Sequence, residues 1–139
     1  MATFVLTDAS VVVNSIDLSD HVQSVTVTLS RETQDDTVMG NTARSNSAGL
    51  KATGVSVTFL QDFAASEVDV SLWTLYDAGT EHTVIVKSTS AAVGATNPTY
   101  TLTGFITSYA PIGGTVGNQH VAPVEWVSSS ATGLARATA

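Results

Sequence analysis

The chain has 139 residues, 43% of them hydrophobic and only 12% charged, with five basic and twelve acidic residues and a net charge of −7. This length fits one domain around a single core, and the acidic balance excludes a clamp for nucleic acid, which needs a basic footprint. The absence of cysteine excludes a disulfide framework and a thiolate ligand or nucleophile.

Ser, Thr, Val, Ala and Gly replace the missing charges, a mixture suited to strands. The opening residues lack the pattern of a leader, and no run approaches membrane-spanning length. The chain therefore reads as soluble, unprocessed and without membrane insertion.

Residues 11–13 form a short apolar run, Asn14-Ser15 a tight turn, and residues 16–18 alternate again, which predicts an N-terminal hairpin. VQSVTVTLS (22–30) places Val25, Val27 and Leu29 on one face and Ser24, Thr26, Thr28 and Ser30 on the other. ATGVSVTFL (52–60) repeats the pattern, with Val55, Val57 and Phe59 opposed to Ser56 and Thr58. Between them, residues 31–51 are polar and have almost nothing to bury, so they read as one long mobile loop. Three of the five basic residues, Arg31, Arg44 and Lys51, lie in or at the edge of this loop, whereas residues 1–30 hold Asp8, Asp17 and Asp20 and no basic residue.

Ser66-Glu67-Val68-Asp69 has the form of a capping box. Val68, Leu72, Leu75 and Tyr76 then follow at helical spacing, and Gly79 supplies a stop. Val68, Val70 and Leu72 also alternate, which leaves a strand as the rival reading. Residues 81–87 read as a strand and 88–98 as a small-residue loop ending in Asn-Pro. Residues 100–109 form a longer strand with Gly104 as a candidate bulge. Gly113, Gly114 and Gly117-Asn118 make a turn. Residues 119–127 are the last strand, where Pro123 argues for an edge or a bulge, and 128–139 read as loose. The expected fold is mainly all-β: a β-sandwich or partly open barrel with one flanking helix, in a single domain covering 1–139.

Little chemistry is encoded. His21, His82 and His120 lack partners at metal-ligand spacing and read as ordinary strand-edge residues. Asp35-Asp36 is an adjacent acid pair in a polar loop, with no desolvation to separate the two pKa values. Asp17-Leu18-Ser19-Asp20 lacks the remaining ligands of a calcium loop. The 113–117 glycines are not followed by the Lys-Ser/Thr of a phosphate loop, and no G-x-S-x-G elbow occurs. Trp73 and Trp126 read as core aromatics. No enzyme activity, metal or cofactor is expected.

The opening MATFVLTDASVVVNSIDLSDHVQSVTV (1–27), DDTVMGNTARSNSAGLK (35–51), VSVTFLQDFAASEVDVSLW (55–73), STSAAVGATNPTYTLTGFITSYAPIGGTVG (88–117) and the closing GLARATA (133–139) cover nearly the whole chain. In this order, with the D-x-x-x-x-G-x-T-x-R pattern from Asp35 to Arg44, they resemble the major tail tube proteins of long, non-contractile-tailed bacteriophages, particularly those of actinobacterial hosts. The resemblance implies six copies per ring and rings stacked into a tube for genome passage. Each subunit would give four strands to the lumen, and a long loop would reach a neighbour. Ser24, Thr26, Thr28, Ser30, Ser56 and Thr58 would then face the lumen. Arg31, Glu32, Asp35, Asp36, Met39, Arg44, Leu50 and Lys51 would make contacts between subunits. Implied partners are further copies of the chain, a tape-measure protein, a tail terminator and baseplate proteins. Double-stranded DNA would pass without specific binding. The implied location is the virion tail, assembled in the host cytoplasm. A terminator or baseplate ring subunit and a carbohydrate-binding adhesin are the alternative readings.

Overall fold

A computed structural model describes residues 3–139. Eight antiparallel strands and one α-helix follow in the order β1 (Ser10–Val13), β2 (Ile16–Asp17), β3 (Val22–Asp35), β4 (Asn46–Leu60), α1 (Val68–Ala78), β5 (His82–Lys87), β6 (Thr99–Tyr109), β7 (Val121–Ser128) and β8 (Ala135–Ala137). The strands form one sheet in the order β2-β1-β5-β6-β7-β4-β3, and β8 pairs with β6 off this path. The sheet curls, because Val25, Val27 and Leu29 of β3 line the same hollow as Val86 and Tyr100 from β5 and β6. The result is the expected partly open all-β architecture with a flanking helix. Among the described residues no helix is long and apolar enough to cross a membrane.

The core fills the inside of the curl. Alternation in β4 sends Val55, Val57 and Phe59 inward, where they meet Val124 and Trp126 of β7, Ile106 of β6 and Val11 of β1. Burying each such side chain contributes about 1.5–3 kcal/mol. Phe59 and Trp126 meet edge to face at 6.4 Å between centroids. The indole Nε1 of Trp126 donates to His82 Nε2 at 2.8 Å, and His82 Nδ1 donates to the Thr80 carbonyl at 3.0 Å. His82 is thus a buried joint and not the strand-edge residue expected, because the turn after α1 carries β5 inward across Trp126.

The helix exists, but its start differs from the expected capping box. Ser66 adopts a left-handed φ of 65°, and the N-cap is Glu67 with no side-chain bond. The Asp62 carbonyl accepts from Asp69 N–H, so the backbone does the capping. Gly79 closes the helix at φ 62°, donating to the carbonyls of Leu75 and Tyr76. Val68, Leu72 and Leu75 are buried, whereas Tyr76 and Trp73 are exposed and lie 6.0 Å apart. Trp73 is therefore not a core aromatic: one step past Leu72 turns it about 100° away from the sheet.

Other departures have local causes. Residues 128–139 are not loose: β8 pairs with Thr99–Thr101 on the β6 side that β7 leaves free. The loop at 88–98 is organised by buried Asn97, whose amide donates to the Ala91 carbonyl at 2.9 Å. Pro123 sits in β7, a central strand, near the point where the β6 ladder ends at Val124. The irregularity in β6 falls between Ile106 and Ser108 and not at Gly104. Gly104 instead permits close approach: a Cβ there would lie 1.8 Å from the Val127 carbonyl oxygen.

Gly104→Ala should therefore force β6 and β7 apart, costing about 3 kcal/mol and lowering the thermal midpoint by on the order of 10 °C. Thermal unfolding followed by circular dichroism checks this; an unchanged midpoint would contradict the packing described.

Candidate functional site

Two features stand out on the surface, a hydroxyl-rich sheet face and a projecting hairpin. The face belongs to four contiguous strands, β3, β4, β7 and β6. Registry aligns Ser24 with Thr58 and Pro123, Thr26 with Ser56, Glu125 and Ser108, and Thr28 with Gly54, Val127 and Phe105. Alternation turns all of these away from the core, because their neighbours Val55, Val57, Val124 and Trp126 fill it. Ser24, Thr26, Thr28, Ser30 and Ser56 are exposed and Thr58 half-buried, so the six hydroxyl residues read from the sequence do share the outer face. The sequence reading missed the contributions of β6 and β7: Phe105, Thr107, Ser108, Glu125 and Val127. The alternation of 121–128 carried that signal. Glu125 is the only ionisable group in these aligned rows.

Both flanks of this four-strand set are open. β3 ends the sheet, so among the described residues one side of its backbone has no strand partner along fourteen residues. Its first part, residues 22–30, contains no proline and no charged residue, the usual protections of an edge; Arg31, Glu32, Asp35 and a bulge lie beyond it. On the other flank, β5 pairs with β6 only as far as Gly104, so that side of residues 105–109 has no strand partner among the described residues.

The expected structureless loop at 31–51 is instead mostly a ribbon. Beyond Ser30–Ala52, the pairs Arg31–Lys51, Thr33–Ala48, Gln34–Ser47 and Asp35–Asn46 extend β3 and β4 past the core, leaving only 36–45 as the connection. A bulge between Arg31 and Thr33 accommodates Glu32, whose backbone lies close to Gly49. Backbone pairing holds this ribbon where side chains bury little.

The tip is closed by the motif residues themselves. Arg44 Nη1 donates to Asp35 Oδ2 at 2.6 Å, so these two residues bond each other within the chain. Asp35 also accepts from Thr37 N–H at 3.0 Å, while Asp36 binds the hydroxyl of Ser47. These bonds, from Thr37 first and Arg44 after it, hold the Asp35 carboxyl below its ordinary value; Ser45 and Ser47 do the same for Asp36. Gly40 takes a φ of 95°, which suits glycine. Val38 and Met39 are left at the end, with Met39 fully exposed at 102%. Leu50 is also exposed, and Arg31 stands opposite Lys51, a like-charge pair. Among the described residues neither cation has an ion-pair partner.

At the other end of β3 lies a cluster the sequence reading missed. His21 Nδ1 meets Asp20 at 2.8 Å, and its Nε2 meets Asp62 at 3.1 Å and Glu67 at 3.6 Å. Asp20 is the neighbouring residue, but Asp62 and Glu67 come from the segment before α1, about forty residues away, which spacing could not reveal. Burial opposes the imidazolium, but the bonds to Asp62 and Asp20 and the nearby Glu67 charge outweigh it, raising His21 above 6.5. Asp62 is lowered, first by the Ala64 amide and then by His21. Nearby, Tyr109 donates to Asp69 at 2.8 Å, and burial pushes its hydroxyl up to about 12. This network fixes the start of β3 to the start of α1.

No protein-family model matches the sequence, and no curated protein matches it. Solved structures share its fold. A chain of the native gene transfer agent virion superposes with a TM-score of 0.75 at 14% identity, covering 96% of this chain and 98% of that one. The SPP1 tail tube gives 0.71 at 13% identity over 95% and 77%. The sheath/tube terminator of PVC, an extracellular contractile injection system, gives 0.69 at 12% over 96% and 96%.

The His21 network has a defined pH signature. The raised His21 value means its stabilisation is fully present below pH 6.5 and is lost as pH rises through the raised value. The lowered Asp62 value means its share is present above pH 3.8 and lost as pH falls through the depressed value. His21→Gln should therefore lower the thermal midpoint more at pH 5.5 than at pH 9; equal losses at both would contradict the pairing.

Proposed function

We propose that this protein is the structural subunit of a tail tube, six copies forming a ring and rings stacking into a conduit for double-stranded DNA. The observation that carries this reading is the four-strand face β3-β4-β7-β6 with an open edge on each flank. The outer edge of β3 in one subunit pairs with residues 105–109 of β6 in the next, closing one continuous sheet around the ring.

Size supports the reading. Six subunits of four strands make a 24-strand barrel. At about 4.8 Å between strands and a tilt of about 40°, its backbone diameter is roughly 45–50 Å. Side chains narrow this to roughly 40 Å on the same geometry, enough for a duplex to pass. The lumen is then lined by Ser24, Thr26, Thr28, Ser30, Ser56 and Thr58, together with Thr107, Ser108 and Glu125 and the smaller apolar share of Phe105, Pro123 and Val127. Hydroxyls keep such a wall wet without gripping phosphate. Six chains at −7 each carry −42, a repulsion felt within about 8 Å of the wall at physiological salt. The protein is non-enzymatic and sits in the tail of a virion of the long, non-contractile type, with an actinobacterial host, and is assembled in the host cytoplasm. Its partners are further copies, a tape-measure protein, a terminator and baseplate proteins.

The projecting hairpin joins ring to ring through Arg31, Glu32, Asp35, Asp36, Met39, Arg44, Leu50 and Lys51. Single exposed ion pairs contribute about 0–1 kcal/mol, but repetition around a ring adds them up. The likeness to a tube terminator favours a second reading, a subunit that stops at one ring.

Negative-stain images of the purified protein separate the two. Hollow filaments are expected from the unaltered chain. Replacing 36–45 by Asn-Gly should leave a folded monomer or single rings and no filaments. Single rings from the unaltered chain would favour the terminator reading, and filaments from the shortened one would remove the hairpin's role.

A further inference from the structure

We infer that the hairpin tip of one copy seats in the groove between the N-terminal segment and the start of β3 in the next copy along the tube. This identifies the surface that receives the hairpin and rests on the tube reading above. The groove consists of two adjoining hollows of about 540 and 310 Å³ that share Leu6, Ala9 and Val25. Its mouth lies beside Asp20 and Ser19 at the beginning of β3, and it runs along that strand to Leu29. Its interior offers apolar surface, and Leu6 and Leu29 are more than half exposed.

Two observations select a second copy as the occupant. First, the tip ends in Val38 and Met39, two apolar side chains at 66% and 102% exposure, which no described residue of their own chain covers. Second, groove mouth and tip lie at opposite ends of β3, about 45 Å apart at 3.3 Å per residue over fourteen residues. A tip cannot bend back to its own groove along an extended ribbon. A copy displaced along the strand by that length meets it. Such a head-to-tail contact does not close on itself and propagates as a filament.

Seating the tip covers Met39 with Leu6 and Val25. The absence of native cysteine makes a disulfide test clean. A variant carrying Met39→Cys and Leu6→Cys, assembled and then oxidised, should give a ladder of covalent multimers on a non-reducing denaturing gel. An equal mixture of the two single variants should give dimers and nothing longer. Val38→Cys with Ala9→Cys provides a second pair, and Met39→Cys with Trp73→Cys, on the outer helix face, should give no ladder. Filaments of unaltered protein with no link from either groove pair, or with equal linking to position 73, overturn the inference and leave the tube reading standing. If the unaltered protein forms no filaments, the tube reading fails and this inference fails with it.

Discussion

Backbone amides and carbonyls along one side of β3 have no strand to pair with among the described residues. Residues 22–30 of that edge hold no proline and no charge, which favours pairing with another chain. Much else follows from this edge. The curl that builds the core places β3 at one end of the sheet path and sends Val25 and Val27 only half inward. The same strand then runs past the core as half of the hairpin, so lateral pairing and axial reach are built on one element. A ring contact through its edge and a stacking contact through its tip are mechanically coupled, since both depend on how β3 pairs with β4.

The division of labour between faces is equally simple. One face of each strand is Val, Leu, Phe or Trp and supplies the folding free energy. The other is mostly hydroxyl and supplies neither a cation nor a large apolar patch beside Ser24–Thr58 and Thr26–Ser56. A wall for a polyanion is best served by groups that hydrogen-bond water as readily as solute. The His21–Asp62–Glu67 cluster and the Tyr109–Asp69 bond lie at the end of this face where β3 begins. They fix the angle at which β3 leaves the body and hence the direction in which the hairpin points.

Much of this was legible in the sequence wherever one side of an element is buried. The alternation in 22–30 and 52–60 revealed both strands and their faces, because Val55, Val57 and Phe59 must enter the core. The helix was legible from Val68, Leu72 and Leu75, although its cap was not, since a backbone carbonyl from Asp62 replaced the expected side chain. The ribbon at 31–35 and 46–51 was illegible for a physical reason: Thr33, Gln34, Ser47 and Ala48 face solvent on both sides, so pairing leaves no hydrophobic period. The Asp35–Arg44 pattern around Gly40 carried the resemblance but gave no sign that the two residues bond each other and close the tip. His21 with Asp62 and Glu67 was invisible because the partners converge from separate segments.

The central claim is that the open edge of β3 is completed by another copy. Amide hydrogen exchange in residues 22–30 and 105–109, compared between dispersed and assembled protein, tests it most directly. The account predicts that amides on the unpartnered sides exchange rapidly in the dispersed chain and become strongly protected on assembly, in both segments together. Exchange in both segments that is unchanged by assembly would contradict it.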